Sequence, residues 1–83
     1  MKPNFNDMVF NELDFAMDKF PKFNSEHEGF AILKEEVDEL WEAVRLKQSD
    51  PLRKKKIRRE AIQVAAMAHR FLYDLCEVDD DHT

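Results

Sequence analysis

The sequence predicts an all-α fold, with three helices per chain and a core completed by association with further copies. Three observations carry that expectation. One glycine and three prolines occur among 83 residues, while 37% are charged and 43% hydrophobic, a mix that favours long helices over sheets. Apolar residues recur at steps of three and four in three successive stretches, the spacing of one helix face. Seven phenylalanines and one tryptophan are a large apolar load for a chain near the lower size limit of a self-sufficient core, and burial against another subunit is the usual remedy.

The first helix is expected over Phe5–Phe20, with apolar positions Phe5, Met8, Val9, Leu13, Ala16, Met17 and Phe20. Asn4 supplies an N-cap oxygen and Pro21 stops the run. Phe10 and Phe15 fall off that stripe, so this helix is expected to be covered on more than one side.

The second helix organises the chain. Ser25 followed by Glu28 is the pattern of a capping box, and the helix is expected to run to about Gln48, roughly 35 Å at 1.5 Å per residue. Phe30, Leu33, Val37, Leu40 and Val44 form an apolar seam. Ile32, Glu36, Glu39 and Ala43 form a second line round its side, so two acids stand one turn apart between apolar neighbours. Glu28, Glu35 and Glu42 form an outer, solvated line. Like charges at that separation repel, and a hard divalent cation would remove the repulsion. Gly29 lies inside the helix, where glycine costs about 1 kcal/mol relative to alanine. Close approach of another helix or a ligand is one reason for it; simple tolerance is the other.

Ser49-Asp50-Pro51 reads as the start of the third helix, with proline at the first helical position. Ile57, Ala61, Val64, Ala68, Phe71 and Leu75 line one face. Glu60 sits at the edge of that face and Gln63 farther round. The segment 78–83, with three consecutive aspartates, is expected to be a disordered tail. Residues 1–83 are thus expected to form a single domain.

One cysteine, Cys76, excludes an intramolecular disulfide and is expected to be a small buried residue. No secretory or membrane-spanning run is present, so a cytoplasmic location is the expectation. The formal charge of −5 argues against nonspecific nucleic-acid binding. Eight residues between Arg45 and Arg59 are nevertheless Lys or Arg. Cations at a helix N-terminus oppose its dipole, so they either balance the acidic second helix or meet phosphate oxygens. Lys56 lies one turn before Glu60, and Arg59 one turn before Gln63.

If the second and third helices pair antiparallel, Glu36, Glu39 and Glu60 can converge. Carboxylates without a thiolate or imidazole pattern suit Mg²⁺ rather than zinc. With basic residues nearby, they suggest phosphoryl or pyrophosphoryl chemistry. His27 and His69 have no partner at metal-ligand spacing and are expected to be structural or exposed.

Glu36-Val-Asp-Glu39 followed by Glu60-Ala-Ile-Gln63 resembles the E-x-x-E…E-x-x-D signature of MazG-like nucleotide pyrophosphohydrolases. The stretches HEGFAILKEEVDELWEAV and REAIQVAAMAHRFLYDL are similar to a short, stand-alone branch of that family, over about residues 25–75. The resemblance implies an all-α chain assembling into four-helix-bundle cores as a homodimer or homotetramer. It also implies Mg²⁺-dependent cleavage of a (d)NTP to the monophosphate and pyrophosphate, with Glu36, Glu39 and Glu60 as metal ligands. The family's last aspartate falls at Gln63, whose amide offers a carbonyl oxygen without charge. In the implied mechanism Glu35 is a carboxylate able to activate water, and Lys56 and Arg59 hold phosphate oxygens. Trp41 or a phenylalanine of the first helix is available to stack on the base, but each is expected to belong to the core. The competing expectation is a non-catalytic helical assembly module with a weakened metal site.

Overall fold

A computed structural model describes residues 2–77. It is all-α, with helices α1 (Phe5–Lys19), α2 (Glu26–Val44) and α3 (Arg53–Phe71), and among the described residues there is no strand. A single π-helical turn, Leu72–Cys76, follows α3 directly. None of these helices is long and apolar enough to cross a membrane. The expectation of a disordered tail at 78–83 lies outside the described residues.

Local chemistry sets the helix ends. Asn4 accepts from the Asp7 amide at 3.1 Å, capping α1 as expected. Ser25 Oγ accepts from the Glu28 amide at 3.1 Å. The return bond of the capping box reaches one residue further, the Glu28 carboxylate accepting from the Asn24 amide at 2.6 Å. Either way an orphan donor of the first turn is satisfied.

Helix α2 stops at Val44, four residues before the expected end. Arg53 explains it: its guanidinium donates to the Val44 carbonyl at 3.0 Å and to the Leu46 carbonyl at 3.1 Å. Those are carbonyls that a helix C-terminus leaves unpaired, and taking them turns the chain back into α3. That helix in turn begins later than Pro51. Asp50 accepts from the Leu52 amide at 2.8 Å in a turn, and the N-cap, Leu52, has no side-chain cap.

Helix α3 is the centre of the molecule and packs against both α1 and α2. Its start meets the end of α2 through Arg53, and its end meets the start of α2 at Gly29, so these two run antiparallel. Helix α1 runs parallel to α3, with Phe5 beside Arg58 and Ala16 beside Arg70. A Cβ at Gly29 would lie 2.8 Å from Leu75, 2.9 Å from Phe71 and 3.0 Å from Phe23. Close helix approach is therefore the reason for the only glycine.

The fully buried apolar set is Leu13, Ala16, Ala43, Ala66 and Met67, with Val9, Phe23, Ile32 and Leu33 packed beside part of it. Three of those five are alanines, which bury little area, so the core of one chain is thin. The apolar seam of α2 divides. Leu33 and Leu40 are half-buried, whereas Phe30, Val37 and Val44 are exposed, joined by Trp41 at 57%. The line facing inward is Gly29, Ile32, Glu36 and Ala43. On α3 the deepest positions are Ala66, Met67 and Arg70, while Ala61 is exposed. Two expectations are corrected here: Cys76 is exposed, and Trp41 is not core.

Arg70 is 3% exposed and holds the end of α1. It donates to the carbonyls of Ala16 at 2.7 Å, Phe20 at 2.6 Å and Pro21 at 2.8 Å. The Asp74 carboxylate accepts from Arg70 at 3.0 Å and from the Phe23 amide at 3.1 Å. One buried ion pair thus ties α1, the 20–24 connection and the π-helical turn together.

Candidate functional site

Antiparallel pairing of α2 and α3 sets Glu36 and Glu39 across from Glu60. Each offers one carboxylate oxygen, and these three oxygens lie within 4.8 Å of one another. Glu36 and Glu60 are half-buried, and Glu39 is exposed. Burial pushes the Glu36 carboxyl up from 4.5 to about 7, helped by the charge of Glu39, a hydrogen bond with it, and the charges of Glu60 and Glu35. Partial desolvation and like charges both favour the neutral acid. Arg59 Nε stands 3.6 Å from the Glu60 carboxylate, but the arginine is largely solvated, so this pair contributes little.

The donor set is acceptor-only and oxygen-only, the type a hard divalent cation takes. The three oxygens, at up to 4.8 Å, stand slightly further apart than the roughly 4.2 Å that separates opposite ligands of a Mg²⁺ ion with bonds of about 2.1 Å.

One concave surface includes Glu36, and a second borders the first. A cleft of about 430 Å³ is lined from α1 by Glu12 and Phe15, from α2 by Ile32, Glu35 and Glu36, and from α3 by Gln63. The Pro21–Asn24 connection closes one end. The second concavity, about 670 Å³, shares Glu12, Phe15 and Gln63 with the first and adds Lys55, Lys56, Arg58 and Arg59. Gln63, half-buried, borders both. The acidic line of α2 and the basic start of α3 therefore belong to one continuous surface.

The expected residues fall as follows. Glu36, Glu39 and Glu60 are brought together. Glu35 is exposed on the cleft wall. Lys56 and Arg59 line the second concavity beside Gln63. Of the two aromatic expectations, Phe15 lines the cleft. Trp41 lies on the exposed line with Phe30, Val37 and Val44, about a third of a turn round α2 from the inward line of Glu36. His69 stands against the Phe10 ring, centroids 5.6 Å apart, and His27 is exposed.

Sequence reasoning passed over Glu12, which no periodicity marks, and Arg70 with Asp74. An Arg four residues before an Asp at a helix end was a legible ion-pair signal; its burial was not. No protein-family model, curated protein or solved structure matches the chain.

Proposed function

We propose that this chain is a Mg²⁺-dependent nucleoside triphosphate pyrophosphohydrolase, converting a (d)NTP to the (d)NMP and pyrophosphate. The observation that carries the reading is the convergence of Glu36, Glu39 and Glu60 where the cleft runs, past Gln63, into a concavity of lysines and arginines. The MazG-like wording of α2 and α3 supports it.

Glu36, Glu39 and Glu60 would hold the cation, with the Gln63 carbonyl as an uncharged fourth donor. Bound Mg²⁺ supplies neutralisation and polarisation of phosphate oxygens. Glu35, on the cleft wall and free to meet solvent, accepts the proton of the attacking water. Lys56 and Arg59 hold phosphate oxygens, which requires Arg59 to leave Glu60, a small cost for a solvated pair. Preorganised cations beside the departing phosphates offset the charge that develops there.

The active form in this reading is a homodimer or homotetramer with four-helix-bundle cores. Phe30, Val37, Trp41 and Val44 are uncovered in one chain and lie on a different side of α2 from Glu35. Covering them with a second copy leaves the cleft accessible.

A second reading, a non-catalytic assembly module, is favoured by Gln63, since the amide removes one charge from the site. A panel of (d)NTPs with Mg²⁺ and pyrophosphate detection separates the two. Release of pyrophosphate from at least one nucleotide, lost in Glu36→Gln, is expected. No release from any nucleotide, with a melting temperature indifferent to Mg²⁺, overturns the hydrolase reading.

A further inference from the structure

We infer that the cleft between α1 and α2 seats the heteroaromatic base of the nucleotide against Phe15, and that it selects bases carrying an exocyclic amino group. The inference rests on the hydrolase reading for the direction of the phosphates, but its test does not.

The cleft's volume of about 430 Å³ falls in the roughly 300–1,000 Å³ range of small-molecule sites. Phe15 is 54% exposed on its wall, so a large apolar ring is kept at a concave surface with little cover. Lys19 Nζ sits 5.7 Å from the centroid of that ring, which leaves one ring face for a stacked partner. Ile32 and Met67 add apolar surface. Base–aromatic stacking on such a platform tolerates any base, so selection must come from the polar groups.

Those groups are mostly acceptors. Glu12, Glu28, Glu35 and Glu36 line the cleft with carboxyl groups, against one ammonium, Lys22, and the mixed amide of Gln63. Asn24 lines it too, and its amide nitrogens are turned to Glu28, backbone at 2.6 Å and side chain at 3.4 Å. Its Oδ1 is then the atom left to offer. The cleft's Arg70 spends its donors on the carbonyls of Ala16, Phe20 and Pro21 and on Asp74. A surface on which acceptors predominate favours cytosine, adenine or guanine, whose amino groups donate. Thymine and uracil present carbonyl oxygens there instead. Phe15 also borders the basic concavity, so a base stacked on it points its sugar and phosphates past Gln63 toward Lys56 and Arg59.

Binding of dCMP, dAMP and dTMP without metal, followed by calorimetry, tests the site apart from catalysis. With wild-type protein we expect dCMP or dAMP to bind at least about tenfold more tightly than dTMP. Phe15→Ala, at an exposed position, should weaken binding by about tenfold or more, and Phe15→Tyr should keep it near that of wild type. The inference is overturned if no monophosphate binds, if dTMP binds as well as the others, or if Phe15→Ala binds like wild type. Selective binding without pyrophosphate release would overturn the hydrolase reading and leave the base site standing. Release with binding indifferent to Phe15 would do the opposite.

Discussion

The guanidinium of Arg70 meets the carboxylate of Asp74 at 3.0 Å, with 3% and 1% of the two side chains exposed. Phe23 stacks beneath, its ring centroid 5.3 Å from the guanidinium carbon. Buried pairs of this kind add little net stability against an apolar substitute, but removing one partner strands the other charge. Here it would also release three carbonyls around the end of α1.

Arg70→Met should therefore lower unfolding stability by about 3–5 kcal/mol, read as a large fall in urea midpoint. Because Arg70 fixes the 20–24 connection, α1 should also lose protection from hydrogen exchange before α2 does. A midpoint within error of wild type would show that the clasp contributes nothing.

Glu36 gives the metal-free protein a particular pH dependence. Its folded carboxyl titrates at about 7 against 4.5 for the unreacted group. The folded state then holds a proton that the unfolded state has released. The associated stability is present in full below pH 4.5 and is lost as pH rises through about 7. Glu36→Gln keeps the neutral shape at every pH. In chelator, the variant should match wild type in acid and exceed it above neutrality in urea midpoint. Wild type remaining the more stable at pH 8 would mean that Glu36 is not repelled by its neighbours.

Gln63→Asp restores the missing charge. If Gln63 stands at the metal, the Mg²⁺ concentration for half-maximal activity should fall on the order of tenfold, as about 1.4 kcal/mol of added attraction gives. An unchanged or higher requirement would place Gln63 among the helix-contact amides.

The exposed line Phe30, Val37, Trp41 and Val44 should be covered by a second copy. Sedimentation at low micromolar concentration is expected to show at least a dimer, and Trp41→Glu should shift it toward monomer or aggregate by burying a charge at the contact. A stable, folded wild-type monomer at that concentration would refute the assembly.

Much of this architecture was legible in the residues because it is local. Three helices, the Asn4 and Ser25 caps and the break at Pro21 follow from spacing and side-chain reach of a few residues. The convergence of Glu36, Glu39 and Glu60 was legible too, once antiparallel pairing is granted, since α2 and α3 each carry their acids on a line of helical period.

What the tertiary structure decided is which side of each helix is inside. Periodicity marks Phe30, Val37 and Val44 as one apolar line and Ile32, Glu36 and Ala43 as another, but only the position of α3 selects the second as the inner one. Gly29 shows the same dependence, since contact with Leu75 and Phe71 needs the far end of the chain. Arg70 does so most clearly: its carbonyl partners lie 49 to 54 residues away, and no window along the sequence brings such groups together. Hydrogen-bond caps reach three or four residues, whereas burial depends on every element that packs above a position. The ends of helices were therefore written locally, and their faces were set by the assembled fold.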